Sequence, residues 1–345
     1  MRACVFHGPG DVRVEDRPDP AAGPGELVLR PAATGICHSD IRVYQGQKHA
    51  RPGVIPGHEV AGVVVEAGPG VEGYRPGDAV VVCPIVACGA CFYCVTGRRN
   101  RCLQRVTLGY EEDGGLAEYL RLPAAVVGAG QALPVPDGMS LELASLTEPA
   151  ACVLNSLEAC RVGAGSTLCL LGAGPMGLLH VVLARRLGAA AVIVSEPVEE
   201  RRAYARRLGA THVVDPSAQD PLAAVRDATG GLGADAVVLT IGRPEAVPEA
   251  LRLVRRQGVV NLFAGFPPGA VSQLDPNAVH YTEAVLTGTQ NATVDQYRRA
   301  LALLAGAPEA LDVVTHRYGI EDAPQAYAAR LGMEGLKSAV VFPPR

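Results

Sequence analysis

One stretch limits the fold of this chain more than any other: STLCLLGAGPMGLLHVVLARRLGAAAVIVSEP, residues 166–197. The apolar run Leu168 to Leu171 predicts a buried strand, and it leads into Gly172, Gly174 and Gly177 at the spacing G-x-G-x-x-G. A helix is expected from about Pro175 to Leu187, then a second strand from Ala191 to Val194, ending at Glu196. Strand, glycine turn, helix and strand in that order form the fingerprint of a dinucleotide-binding unit. Gly172 makes the tight turn, Gly174 lets backbone approach a pyrophosphate, and Gly177 lets helix and strand pack closely. The helix N-terminus, opening at Pro175 and Met176, then faces the phosphates. Glu196 follows Gly172 by 24 residues, where a carboxylate can bind both hydroxyls of the adenosine ribose and repels a 2′-phosphate. Arg201 and Arg202 pull the other way, since an arginine could accept that phosphate, unless both are solvated helix residues. The carboxylate outweighs them, and NAD is the expected cofactor.

The same rhythm continues. The short apolar stretches THVVDP (211–216), GADAVVLTIG (233–242) and GVVNLFAGF (258–266) alternate with helical patterns at 198–209 and 247–258. That alternation predicts an α/β fold with a doubly wound parallel sheet. The first 145 residues differ. Short strands broken by glycine and proline run through GELVLRPAATGIC, HEVAGVVVEAG, GDAVVV and GGLAEYLRL, which predicts an all-β, barrel-like domain. A helix near 149–161 should cross into the nucleotide domain, and a tail with helices and a last strand should return to the first. The expected division is 1–150 with 289–345 for one domain and 151–288 for the other. A length of 345 residues suits two such domains.

Four cysteines crowd residues 88–102, CGACFYCVTGRRNRC. Cys88, Cys91 and Cys94 are separated by two-residue gaps, and Cys102 follows a short loop. Two-residue gaps let a tight turn aim successive thiols inward, and a tetrahedral zinc needs four thiolates at about 2.3 Å from one point. A closed four-sulfur site has no open position, so this lobe, spanning 86–104, is expected to hold a structural zinc. Disulfides fit poorly. The first 20 residues mix charges and lack a long apolar core, which predicts no signal peptide, and no run reaches about 18 apolar residues. A reducing cytoplasm is the expected compartment, where ten cysteines read as free thiols or metal ligands. A net charge of −4 gives no basic footprint for nucleic acid or an anionic membrane.

A second set is scattered. GICHSD (35–40) contributes Cys37, and PGHEVAG (56–62) contributes His58 and Glu59. Thiolate, imidazole and carboxylate with an open position suit catalytic zinc. Singly each is weak, because a lone cysteine is usually a small core hydrophobe. SLTEPAACV adds Glu148, and Cys152 one helical turn later competes with it as fourth ligand.

GICHSD, PGHEVAG, the four-cysteine lobe, GGLAEY, TEPAA and GAGPMG occur together in the order of the zinc-containing medium-chain dehydrogenase/reductase family, which this chain resembles over essentially its whole length. It is most similar to the polyol branch, with sorbitol, butanediol and threonine dehydrogenases. The resemblance implies a GroES-like catalytic domain, a Rossmann domain, two zincs per chain and NAD. It implies Cys37 and His58 as direct zinc ligands, with Glu59 and Glu148 bound directly, through water or in alternation. Asp40 would orient His58, and Ser39 would pass the substrate proton. Met176, Glu196 and Arg201 match cofactor contacts. A dimer or tetramer is implied as well.

Two departures stand out. Many relatives carry a histidine five residues after the cysteine ligand that takes the proton onward; here Arg42 stands there, and an arginine is a poor proton carrier. The exit would run through water or His38. Sorbitol dehydrogenases place an arginine near the substrate where this chain has Asn291, which weakens sorbitol as the substrate. Tyr44 matches a pocket position, with a core or surface tyrosine as the alternative. The expected reaction is reversible hydride transfer between NAD and a secondary alcohol or polyol. An amino- or phospho-polyol, a cyclitol or L-threonine is the alternative substrate, and a non-catalytic nucleotide-binding redox module is the remote one. A zinc-free quinone reductase would lack both metal sets.

Overall fold

The computed structural model describes residues 1–343 and divides into two units: Met1–Glu148 with the chain from Thr293 onward, and Pro149–Ala292. In the second unit six strands run parallel in the spatial order His212–Val214, Ala191–Ser195, Thr167–Leu171, Ala234–Leu239, Val254–Leu262, Val285–Gly288. Numbered along the chain this is 3-2-1-4-5-6, the doubly wound order, with its switch point between Thr167–Leu171 and Ala234–Leu239. These strands read as nearly continuous apolar runs because helices cover both faces of a parallel sheet. Leu168, Leu170, Val192, Val194, Val237 and Leu239 are all buried. The glycine-rich turn leads into the helix Pro175–Arg186.

Two details depart from expectation. The helical pattern at 247–258 stops early: the helix is Ala246–Leu253, and Val254 opens the strand Val254–Leu262. Val254 pairs with Ala234, and the register then slips between Ala234 and Ala236, so Arg255–Gln257 bulge out of the ladder. The second unit also keeps residues 289–292. Thr289 bonds Asn261, and the Asn291 carbonyl accepts from Asn155 Nδ2 at 2.7 Å.

The first unit is built on a seven-stranded sheet in the order Val314–Tyr318, Lys337–Val341, Leu27–Gly35, Glu59–Ala67, Ala79–Val82, Ala132–Pro134, with Leu120–Leu122 also paired to Leu27–Gly35. All its pairings are antiparallel except Val314–Tyr318 with Lys337–Val341. The tail thus supplies two strands where the sequence suggested one. Helices of the tail, Val294–Ala305 and Ala323–Leu331, lie in the same unit. Among the described residues no helix is long and apolar enough to cross a membrane.

Candidate active site

Strand register assembles the scattered set. Leu27–Gly35 and Glu59–Ala67 run antiparallel with Gly35 opposite Glu59. Cys37, just past one strand, and His58, just before the other, are therefore brought to the same end of the sheet. One donor atom each from Cys37, His58 and Glu59 lies within 4.8 Å of the others. Gly35 makes the approach possible, because a Cβ there would fall 1.9 Å from Glu59 Oε2. Cys37 caps the helix His38–Tyr44, and Asp40 in its first turn accepts from the Cys37 backbone N–H at 2.9 Å. The other Asp40 oxygen lies 3.2 Å from His58 Nδ1, close but not well aligned for a hydrogen bond. A proton on Nδ1 facing that carboxylate leaves the Nε2 lone pair to face Cys37.

These donors suit a zinc ion: sulfur, nitrogen and oxygen at mutual spacings that a tetrahedral cation spans. The field agrees. Burial works against charge on the His58 imidazole, yet the Asp40 carboxylate and Cys37 outweigh it and raise His58 well above its ordinary range. Positive charge is favoured at this point. Glu59 is buried and pairs with Lys337, which is buried too. Glu148 lies outside the three-residue group; Tyr297 Oη donates to its carboxylate at 3.4 Å. Cys152 belongs to the second unit.

Ser39 Oγ sits 3.5 Å from His58 Nε2 and 2.7 Å from Tyr110 Oη. Tyr110 is buried, its ring tilted against His58 at 5.2 Å between centroids. Burial, with Asp40 and Cys37 nearby, raises its phenol well above the usual value. Lys48 Nζ lies 3.5 Å over the face of that ring. Tyr110, Lys48 and Lys337 were missed by sequence reasoning, since no motif spacing marks them. Tyr44 is half-buried: its ring packs on Tyr327 at 5.8 Å, against the apolar cluster that holds Ile41 and Val340. Asn291 stands in the second unit in the left-handed region, with φ 58°.

The lobe closes on itself. Cys91 and Cys94 sulfurs are 3.5 Å apart, and Cys88–Cys94 and Cys91–Cys102 are each 4.0 Å apart. Four thiolates at the corners of a tetrahedron of about 2.3 Å bonds would stand about 3.8 Å from one another. All ten cysteines are free of disulfides. Backbone N–H groups of Leu103 and Cys94 point at Cys91 and pull its thiol down to about 6, while burial pushes Cys94 up. Four thiolates gathered this closely repel one another, so the closed set calls for a cation. The basic residues Arg98, Arg99, Arg101 and Arg105 flank it.

In the second unit Gly172 has φ 107°, and a Cβ there would meet Thr240 and Ile241 side chains at 2.7 Å. A Cβ on Gly177 would fall 2.2 Å from the Gly172 carbonyl oxygen, whereas one on Gly174 would meet open space. The loop is therefore tight where helix meets strand and bare at the position a pyrophosphate would approach, which fits a dinucleotide. Pro175 is the first helical residue, and the Met176 carbonyl accepts from His180 Nδ1 at 2.7 Å. Glu196 is buried and accepts from the Ala173 and Val198 backbone N–H groups at 2.8 and 3.0 Å, which fixes the carboxylate beside the loop with lone pairs to spare. Arg202 is neither solvated nor available for a phosphate. It is buried, donates to the Glu196 and Pro197 carbonyls, and pairs with Glu199 and Asp215. Arg201 is half-buried.

Two family models match: an alcohol dehydrogenase GroES-like domain over residues 23–136 and a zinc-binding dehydrogenase over 175–306. Among curated proteins the chain is 36% identical to L-threonine 3-dehydrogenase of Pyrococcus furiosus over 330 residues, 94% of this chain and 92% of that one. It is 31% identical to sorbitol dehydrogenase of Bacillus subtilis, covering 100% of this chain and 98% of the other. A solved zinc-binding dehydrogenase of Sinorhizobium meliloti, bound to NADP, superposes with a TM-score of 0.92 at 32% identity and 99% coverage of both chains.

Proposed function

The chain belongs to the family of zinc-binding dehydrogenases with a GroES-like domain, and on that premise we propose that it interconverts a secondary alcohol or polyol and its ketone with NAD as hydride partner. The observation that carries this reading is the meeting of Cys37, His58 and Glu59 donor atoms within 4.8 Å, with the Ser39 hydroxyl 3.5 Å from His58. Cys37, His58 and Glu59 would hold the catalytic zinc, with Glu148 as a further ligand, and Cys88, Cys91, Cys94 and Cys102 the structural one. When bound, zinc supplies Lewis acidity toward the substrate oxygen and the nicotinamide supplies the hydride acceptor. Asp40 orients His58. Ser39 Oγ takes the proton of the substrate hydroxyl. Tyr110 Oη holds the Ser39 hydroxyl in place at 2.7 Å, and Ser39 would release its own proton to water or by way of His38 as it takes the substrate's. This suits a chain whose Arg42 cannot serve as the carrier.

For the cofactor, Gly172, Gly174, Pro175, Met176 and Gly177 would cradle the pyrophosphate. Glu196 would bind the ribose hydroxyls, beside Arg201. A buried carboxylate at that position and an Arg202 already saturated support NAD. The bound NADP of the Sinorhizobium meliloti protein keeps the phosphorylated cofactor as the second reading. By their names these two relatives act on threonine and on sorbitol, an amino acid and a neutral polyol.

A homo-oligomer in a reducing cytoplasm is part of the proposal. Ten free cysteines support the compartment. The edge strand Val285–Gly288, with Val285, Tyr281 and Val271 exposed near it in sequence, supports a second copy as partner. Light scattering of the purified protein tests the assembly. The activity is tested by NAD and NADP reduction over diols, sugar alcohols, sugar acids, cyclitols and threonine, with zinc quantified in the same sample. Two zincs per chain and NAD-linked oxidation of at least one alcohol are expected; a zinc-replete protein that oxidises none would refute the reading.

A further inference from the structure

Of the 31 lysines and arginines in this chain, only Lys48 and Lys337 are lysine. Arginine supplies all the rest of these, yet both lysines stand beside the Cys37 group. Arginine's planar fork suits surface pairs with carboxylates, whereas lysine is a compact single-point charge. Lys337 already has its partner, the buried carboxylate of Glu59. Lys48 does not. Among the described residues no carboxylate lies within 4 Å of its Nζ, which rests on the face of Tyr110 instead.

Lys48 is held on a constrained loop against Tyr110. Its backbone is fixed, because the Arg42 carbonyl accepts from both the Gln47 and Lys48 N–H groups at 2.8 and 3.2 Å. That ties the loop to the helix carrying Ser39. Tyr110 links the two side chains: its hydroxyl touches Ser39 and its face touches Lys48. Ammonium and proton-accepting hydroxyl are thus about one phenol ring apart, a span that a few carbon–carbon bonds cover. The charge is only partly solvated, and burial lowers the lysine, with Asp40, Cys37 and Glu111 opposing that from a distance. A partly desolvated cation without a paired anion gains most when a ligand supplies one.

Resting on the dehydrogenase reading, we propose that Lys48 is a substrate-binding residue and that the site takes a hydroxy-acid anion, its carboxylate on Lys48 Nζ and its reacting carbinol at Ser39. A neutral polyol would leave the ammonium without a partner. A purely structural lysine, holding Tyr110 by its ring, would affect charged and neutral substrates alike.

The test compares kcat/KM for a hexonate and for the hexitol of matching configuration in the wild type, Lys48→Met and Lys48→Arg, each with zinc content and thermal midpoint recorded. The wild type should prefer the hexonate. Lys48→Met should cut the hexonate-to-hexitol ratio by about ten- to a hundredfold, chiefly through the hexonate KM, as expected for loss of a hydrogen bond to a charged group. Lys48→Arg should keep part of it. An unchanged ratio in zinc-replete Lys48→Met, or a wild-type preference for the hexitol or for a phosphorylated hexitol, overturns the proposal. Should the variants not fold, glutarate serves on the wild type: competition against hexonate beyond that of chloride at equal ionic strength is expected, and equal effects overturn it. Oxidation of no alcohol at all would sink the dehydrogenase reading itself, and this inference with it.

Discussion

The four-cysteine lobe and the Cys37 group are both donor sets of the first unit, but they are gathered in opposite ways. The lobe takes its four sulfurs from fifteen consecutive residues, so local turns alone bring them to within 4.8 Å of one another. The Cys37 group needs the sheet. Its three donors come from two segments that meet only because Gly35 pairs with Glu59, and its supporting side chains, Tyr110, Lys48 and Lys337, come from three more. The chemistry differs in parallel. Four thiolates fill a tetrahedron and leave no place for a substrate. A thiolate, an imidazole and a carboxylate backed by a polar shell leave one. The more conspicuous motif is thus the less chemical one.

The sharpest way to break this contrast is to remove one donor from the open set. In the zinc-loaded protein His58→Ala should lower kcat by about a thousandfold or more, since polarisation of the substrate oxygen is lost. Far-ultraviolet circular dichroism and the zinc held by the lobe should remain. Turnover near that of the wild type in a preparation with verified zinc would remove the Cys37 group from the mechanism.

A smaller effect probes the support rather than the donor. Asp40→Asn keeps the shape and the bond from the Cys37 backbone but removes the charge facing His58 Nδ1. Catalytic zinc retention, measured by competition with a chelator, should weaken by about ten- to a hundredfold, the usual consequence of losing the partner of a ligating histidine. The lobe zinc should be released at the wild-type rate. Equal loosening of both zincs would mean that Asp40 stabilises the unit as a whole and is not specific to one site.

How much of this was legible in the sequence follows the same division. Local patterns read well: the glycine turn at 172–177, the strand Thr167–Leu171 and the four-cysteine spacing depend on residues close along the chain. Cys37, His58 and Glu59 were visible as donor types, and Ser39 and Asp40 through the family resemblance. Their meeting at one metal was implied by the family resemblance and not by the residues alone, because it is a fact of strand register. Tyr110 and Lys48 were missed for the same reason, although the scarcity of lysine in so arginine-rich a chain was a signal in plain view. Arg202 was misjudged because a helix pattern cannot tell a solvated arginine from one folded back onto the Glu196 and Pro197 carbonyls. The helix at 247–258 was overextended because Arg255 and Arg256 suit a helix surface, while pairing of Val254 with Ala234 draws the chain into the sheet.

The finest test asks whether the lobe does no chemistry at all. Cys91 caps the short helix Phe92–Val95 and is within 4.0 Å of both Cys94 and Cys102 sulfurs. Cys91→Ser removes one corner of the tetrahedron and with it part of the metal-binding energy, which in such a site is folding energy. A loss of about 3 kcal/mol would lower Tm by about 4 °C in a protein of 345 residues. At a temperature well below that midpoint, kcat per folded, catalytically zinc-loaded chain should stay within about twofold of the wild type, because no donor of the Cys37 group has changed. A Tm series run beside kcat on the same samples separates the two. If the Cys91→Ser protein proved as stable and as fully assembled as the wild type yet inactive, the lobe would belong to the reaction, and the distinction between a closed structural site and an open catalytic one would fail for this chain.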